Sequence, residues 1–113
     1  MRDLPTPADI SGIWVISGPV SPTCVFVQNG NSFRGSCEGP GAKGGVFGVV
    51  DGQTIRWSYQ WTSKTDGSVG AFEFVGVLGA DGNMTGSMIG TTRAHGSFTA
   101  KKAGNLSNAE KPN

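Results

Sequence analysis

Short runs of alternating apolar and polar residues fill most of the chain, and nearly every run ends at a turn signal. The alternation is clearest at 54–61, where large apolar residues occupy every second position: Ile55, Trp57, Tyr59 and Trp61. A period of two is typical of a β-strand with one buried face. On this pattern we predict eight strands, near 10–18, 23–29, 32–38, 44–50, 53–61, 69–78, 83–90 and 94–101.

Turn dipeptides separate these runs. Asn29-Gly30, Asp51-Gly52 and Asp81-Gly82 are pairs that tolerate the positive φ of tight hairpins. Because the connections are short throughout, strands that are neighbours in sequence are expected to pair as an antiparallel, up-and-down meander.

Closure of this meander into a barrel is expected on two grounds. A flat sheet would expose its aromatic face and leave two unpaired edges, and closure removes both problems. Glycines inside the strands would leave room opposite the large rings; they are at 12, 35, 48, 76, 86 and 96. The fold class is therefore all-β, about eight strands closed into a barrel. The alternative is a two-sheet β-sandwich, which needs Greek-key crossovers that short loops disfavour.

The length of 113 residues allows one domain with one core. We assign residues 1–9, with two prolines, to an irregular N-terminal segment and 10–101 to the barrel. Residues 102–113 are polar and are predicted to be a disordered tail.

Charge and hydropathy narrow the range of partners. The net charge is +1 and only 15% of the residues are charged, so no electrostatic basis for binding nucleic acid or an anionic membrane is present. No apolar run approaches the roughly 20 residues that span a bilayer. No cofactor is implied, and the oligomeric state is left open.

Cys24 and Cys37 flank a hairpin. If Gly30 and Asn31 form its two-residue tip, the cysteines stand directly opposite each other on adjacent strands, which is compatible with a disulfide. Two buried thiols are the alternative, and two isolated cysteines cannot build a structural zinc site. A disulfide would indicate a periplasmic or secreted protein, and its absence a cytoplasmic one. The start of the chain, MRDLPTPADI, has no apolar segment of the kind that signal peptides contain.

The aromatic residues are the most informative candidates for function. Nine are expected to point into the barrel: Trp14, Phe26, Phe33, Trp57, Tyr59, Trp61, Phe72, Phe74 and Phe98. One interpretation is a solid core, because an eight-stranded barrel is just wide enough to be filled by side chains. The other is a ring-lined pocket at one mouth that binds a small apolar or aromatic ligand. Its candidate residues are Trp14, Gln28, Trp57, Tyr59, Trp61, Phe72 and Phe74, with Tyr59 and Gln28 as polar anchors.

Catalytic signatures are weak. His95 is the one histidine, with no ligand or base partner at a useful spacing, and no nucleophile or phosphate-loop motif occurs. Arg56 and Glu73 would be nearly opposite in a hairpin centred on 64 and 65, as an exposed cross-strand ion pair. We therefore assign no catalytic and no metal-binding residue.

Several short segments resemble the streptavidin/avidin-type, calycin-like barrels. They are SGIW at 11–14, FRG at 33–35, TIRWSYQWTSK at 54–64 and GSFTAK at 96–101. The resemblance implies a barrel in which Trp61 corresponds to the family's pocket tryptophan. It does not imply biotin as the ligand, because most biotin-site residues are absent: no aspartate precedes Phe98, for example. The hairpin from Cys24 to Cys37 is also similar to that of small bacterial secreted β-barrel proteins of unassigned function.

Three hypotheses follow for function. The first is a non-enzymatic barrel that binds a small ligand at one mouth or serves as an accessory domain. The second is a template-type enzyme, such as a cyclase or isomerase, with Tyr59, Glu73 or His95 as candidate groups. The third is a protein-interaction or inhibitor domain that acts through its loops, especially 38–45 and 62–68.

Overall fold

Eight β-strands make up the computed structural model, which describes residues 8–91 and 95–106. The strands are β1 (Gly12–Ser17), β2 (Thr23–Asn29), β3 (Ser32–Glu38), β4 (Ala42–Asp51), β5 (Thr54–Ser63), β6 (Val69–Leu78), β7 (Met84–Gly90) and β8 (His95–Gly104). Within those two ranges no helix occurs, so none is available that could cross a bilayer.

The strands form one closed barrel. Each strand pairs antiparallel with the next one in sequence, and β8 pairs with β1 to complete the ring. The predicted meander and its closure are therefore confirmed, and the sandwich alternative is wrong. Closure leaves no strand with an unpaired edge, which is the physical gain expected from it.

The two faces follow the predicted alternation. On β5, Ile55, Trp57 and Tyr59 are buried inside the barrel, whereas Arg56 is exposed outside. Phe47, on an outward-facing position of β4, has 56% of its surface exposed. Position in the alternation, rather than hydrophobicity alone, thus decides which rings enter the core.

Rings fill the middle of the barrel. Trp57 stacks on Phe74, with ring centroids 3.8 Å apart, and Phe98 meets Phe74 edge-on at 5.1 Å. Gly48 leaves the space that the rings need: a Cβ there would meet Cζ of Phe33 at 2.5 Å. The middle of the barrel is therefore a packed core, as an eight-stranded barrel allows.

Residues 8–11, just before β1, close one end of the barrel, which we call the closed end. Ile10 is fully buried there, and its carbonyl oxygen accepts a hydrogen bond from Trp14 Nε1 at 2.8 Å. The amide of Gln28 accepts from Ile10 N at 2.8 Å and donates to the Ala8 carbonyl oxygen at 2.9 Å. Leu106, just after β8, is also buried.

Two expectations differ from the structure. Strand β8 continues to Gly104, three residues beyond its predicted end at 101, because its last residues pair with Ile13 and Trp14 of β1. Arg56 and Glu73 are not opposed: Arg56 faces Val75 and Glu73 faces Ser58. The cause is the position of the turn at 64–67, in which Ser63 N donates to the Ser68 carbonyl oxygen: the hairpin is centred between residues 65 and 66, one residue later than expected, which shifts the pairing by two residues.

Part of the sequence-based prediction lies outside the described residues. This applies to most of the N-terminal segment, at 1–7, to the end of the tail, at 107–113, and to residue 94, the predicted start of the last strand.

Candidate ligand-binding cavity

A cavity of about 340 Å³ occupies the end of the barrel opposite the closed end. We call it the mouth cavity. The loop at 18–22, between β1 and β2, and the loop at 39–41, between β3 and β4, form much of its rim. Its lining residues are Val20, Ser21, Pro22, Gly39, Pro40, Gly41, Ala42, Tyr59, Trp61 and Phe72. None of these side chains is charged and only Ser21, Tyr59 and Trp61 carry a polar atom, so the cavity is chiefly apolar.

Three aromatic rings line the mouth cavity from two neighbouring strands. Tyr59 on β5 and Phe72 on β6 are direct cross-strand partners, and their ring centroids are 6.2 Å apart. Trp61, two residues after Tyr59 on the same face, has its ring centroid 6.1 Å from that of Phe72. The period of two that turns the core residues of β5 inward also turns Tyr59 and Trp61 inward. Their positions toward the end of the strand bring them to the mouth.

Glycines flank Trp61 on both neighbouring strands. Gly44 on β4 and Gly70 on β6 are its register partners. A Cβ at Gly70 would overlap the six-membered ring of the indole. The absence of a side chain at Gly70 gives the indole the room in which it lies, whereas a Cβ at Gly44 would overlap the backbone carbonyl oxygen of Gln60.

Polar groups at the mouth cavity are few. Burial raises the pKa of the Tyr59 hydroxyl, and the negative charge of Glu38 raises it further, so the phenol keeps its proton at neutral pH. The indole Nε1 of Trp61 is buried and has no hydrogen-bond acceptor within 8–91 and 95–106. The Tyr59 hydroxyl and the Trp61 indole are therefore both neutral hydrogen-bond donors.

One ion pair and one backbone hydrogen bond connect the turn after β5 to neighbouring parts of the rim. Lys64 Nζ donates to a Glu38 carboxylate oxygen at 2.6 Å, which links β3 to the turn after β5. This bond and the charge of Lys64 lower the pKa of the Glu38 carboxyl. The backbone N–H of Lys64 donates to the Gly41 carbonyl oxygen at 2.9 Å, so the 39–41 loop is tied to the same turn.

The Cys24–Cys37 disulfide lies directly below this rim. The two cysteines are opposed across β2 and β3, with Cα atoms 4.0 Å apart, as the hairpin register predicts. Pro22 and Gly39, both lining residues, are each two residues away along the chain. The predicted disulfide is confirmed, and it joins the two strands from which the rim loops leave.

The seven candidate ligand-binding residues fall into three groups. Tyr59, Trp61 and Phe72 line the mouth cavity. Trp57 and Phe74 stack in the packed middle of the barrel. The remaining two, Trp14 and Gln28, make hydrogen bonds at the closed end.

Gln28 thus cannot serve as a polar anchor beside Tyr59, which was its expected role. Both ends of its side-chain amide are engaged: the oxygen by Ile10 N, and the nitrogen by the carbonyl oxygens of Ala8 and Gly30. The alternation correctly predicts that Gln28 and Tyr59 both point into the barrel. Their positions along β2 and β5, however, place them at opposite ends of it.

Sequence reasoning missed the loop residues of the mouth cavity. Val20, Pro22 and Pro40 lie in connections between strands, and the alternation of apolar and polar residues assigns an inward or outward side only to residues within strands. Ala42, at the start of β4, shares the inward parity of Val46 and could have been found by extending the alternation two residues back.

The groups considered for catalysis do not converge. Glu73 and His95 are exposed on the outer wall, where Ile89 separates them in the register, whereas Tyr59 lies inside the barrel. Among the residues that the structure describes, no group of three or more His, Cys, Asp or Glu side chains is placed to hold a metal ion.

Comparison of the chain with protein-family models, with curated proteins and with solved structures finds no match. The eight-stranded antiparallel barrel agrees with the calycin-like fold that the sequence resemblance implied. Membership of the streptavidin/avidin family remains a prediction from short motifs.

Proposed function

We propose that this protein is a non-enzymatic binding protein whose mouth cavity takes a small apolar or aromatic ligand. The observation that carries the proposal is the contrast between the two ends of the barrel. The closed end is filled by Ile10 and by the hydrogen bonds of Gln28, whereas the other end keeps three rings around a cavity of about 340 Å³. Apolar walls with a few polar groups are the usual composition of small-molecule sites.

The size of the cavity limits the ligand. Sites for small molecules commonly measure about 300–1,000 Å³, so this one is near the lower end. The stacked pair Trp57 and Phe74 blocks the way deeper into the barrel. A ligand of one or two fused rings, held against Tyr59, Trp61 and Phe72, is therefore the class that fits.

A preformed rim supports the same proposal. The Cys24–Cys37 disulfide joins the two strands from which the rim loops leave, and the hydrogen bond from Lys64 N to the Gly41 carbonyl oxygen ties the 39–41 loop to the turn after β5. Ordering a loop on binding costs free energy, and a site that is already ordered avoids part of that cost.

Ligand titration followed by tryptophan fluorescence tests the proposal. Neutral probes of one and two rings, such as acetophenone and 2-acetylnaphthalene, are expected to quench or shift the emission with saturable binding. A matched pair of variants localises the effect. Ala42→Phe fills the mouth cavity from an inward position, whereas Lys43→Phe places the same ring on the outer wall.

We expect Ala42→Phe to weaken probe binding at least tenfold and Lys43→Phe to leave it within about twofold, since only the first ring occupies the cavity. Equal effects of the two variants, or no saturable binding of any probe to the parent protein, would overturn the proposal.

We also propose a periplasmic or extracellular location, because disulfides persist in oxidising compartments. The supporting observation is the Cys24–Cys37 bond. Alkylation of thiols in intact cells expressing the native gene, followed by mass spectrometry, tests it. Unmodified, bonded cysteines in the exported fraction are expected, and two alkylated cysteines in a cytoplasmic protein would contradict it.

A further inference from the structure

A patch of exposed apolar side chains lies on the outer wall of the barrel, across the four strands from β4 to β7. Outward positions of an antiparallel sheet are usually polar, because they face water. Of the seven large apolar side chains that are exposed in the described ranges, five nevertheless fall in three successive outward rows of the strand register here. We call them the outer patch: Phe47, Val49, Val75, Val77 and Ile89. Apolar residues that cluster in this way, unlike scattered ones, are typical of an interaction surface.

Two opposite charges stand inside the outer patch. Arg56 on β5 is opposite Val75 in the register, and Glu73 on β6 is opposite Ser58, so the two charged residues are diagonal neighbours. Both are exposed, and neither forms an ion pair with another residue that the structure describes. The apolar surface therefore includes one unpaired positive and one unpaired negative group side by side.

A second copy of the chain fits this charge pattern. In a two-fold interface, residue i of one copy contacts residue j of the other, and j contacts i. An axis that lies in the contact plane, at right angles to the line from Arg56 to Glu73, places Arg56 of each copy over Glu73 of the other. A nucleic acid or an anionic membrane would repel Glu73, because both carry negative charge alone.

The apolar side chains are compatible with the same axis. Phe47 is opposite Ser58 in the register, in the row of Glu73, and Val75 is in the row of Arg56. On the usual spacings of a β-sheet, the axis passes close to Phe47 and Val75. Each of these two side chains would then meet its own counterpart on the second copy, and apolar surface would be removed from water at the centre of the contact.

The size of the outer patch indicates a reversible association. Four strands at the usual spacing span about 14 Å. Such a contact is small for a specific interface, and small interfaces are typical of weak, transient complexes. A monomer–dimer equilibrium that responds to protein concentration is therefore expected rather than a permanent dimer.

From these observations we propose that the protein forms a reversible two-fold dimer through the outer patch, with Arg56 of each copy paired to Glu73 of the other. None of the residues of the outer patch lines the mouth cavity. The dimer is therefore independent of the proposed function, and each copy keeps its own mouth cavity.

Sedimentation velocity over a wide range of protein concentration tests the dimer. The mass of the parent protein is expected to rise from that of one chain toward that of two. Arg56→Glu and Glu73→Arg each place like charges opposite one another, and each should raise the dissociation constant about tenfold or more. Lys101→Glu is the control for Arg56→Glu, since it makes the same change of charge on the outer wall at β8, outside the patch, and should leave the constant within about threefold.

A mixture of the two reversed variants is the decisive measurement. One chain then has two acidic groups at these positions and the other has two basic groups, so both cross-contacts are again attractive. The equimolar mixture is expected to dimerise within about threefold of the parent, although neither variant does so alone. Near-UV circular dichroism confirms that each variant is folded before mixing.

Three results would overturn the proposal. A parent protein that is monomeric at every concentration would leave the outer patch to another partner or to none. A dimer that both reversals leave intact, or that Lys101→Glu weakens equally, would lie elsewhere on the surface. Failure of the folded variants to associate when mixed would show that Arg56 and Glu73 do not pair across the interface.

Discussion

The indole of Trp57 lies flat against the ring of Phe74, with the two planes only 4° apart. Both residues are inward-facing and directly opposed on β5 and β6. This stack closes the middle of the barrel, so the cavity at the mouth and the closed end are separate regions. It also makes Phe74 the residue whose truncation tests the core most directly.

Phe74→Ala should destabilise the protein by about 3–5 kcal/mol, because the removed ring is almost completely buried and leaves a cavity against Trp57 and Phe98. Urea unfolding followed by far-UV circular dichroism measures the change. Phe47→Ala is the matched control, since the same substitution is made on a ring that is 56% exposed. It should cost less than about 1 kcal/mol, and equal losses at the two positions would contradict the inside–outside assignment.

Reduction of the disulfide should lower the free energy of unfolding by about 3 kcal/mol, because the cross-link closes a short loop in the unfolded chain. The measurement is urea unfolding with and without a thiol reductant. The double variant Cys24→Ala/Cys37→Ala should show the lower stability in both conditions and no response to the reductant. A parent protein equally stable in both conditions would show that the bond contributes nothing to folding.

Stability should fall as the pH rises above about 10, in part because of Tyr59. Burial raises the folded-state pKa of this hydroxyl above its ordinary value of about 10. The folded protein therefore holds the proton at pH values where the unfolded chain has released it, and its stability is full below pH 10 and declines above it. Tyr59→Phe should reduce the slope of unfolding free energy against pH between about 10 and 12.

Absorbance at 295 nm gives an independent readout of the same group, because Tyr59 is the chain's single tyrosine. Tyrosinate should appear in the native protein at a higher pH than in urea-unfolded protein. Coincident titration curves for the two states would show that the hydroxyl is solvated in the folded protein.

Much of the fold could be predicted from local sequence features, and the reasons are physical. The alternation in β5 and the paired cysteines at 24 and 37 each fix a register, because a shift by one residue would turn every side chain to the other face. Closure followed from the need to cover an aromatic face and two edges.

The candidate site was less predictable. Alternation tells which side of a strand a residue occupies, but not how far along the barrel axis it lies. Gln28 and Tyr59 are both inward-facing, and the structure places them at opposite ends. The Arg56–Glu73 pairing was wrong because the hairpin is centred between residues 65 and 66 and not between 64 and 65, and the sequence of the loop does not fix that centre to within one residue.

Adjacent glycines on β4 should respond to alanine in opposite ways. A Cβ at Gly44 would overlap the carbonyl oxygen of Gln60 on the neighbouring strand, and backbone cannot move aside as a flexible side chain can. Gly44→Ala should therefore cost about 1–3 kcal/mol, the range found for overpacked interiors. At Gly45 the nearest atom to a new Cβ is the Gly35 carbonyl oxygen, 3.9 Å away. Because alanine loses less conformational freedom on folding than glycine, Gly45→Ala should be neutral or should stabilise the protein by up to about 1 kcal/mol.

Thermal and urea unfolding of the two variants, made in the same background, give the comparison. A loss at Gly45 as large as that at Gly44 would mean that the close approach of β4 to β5 is not what requires glycine here.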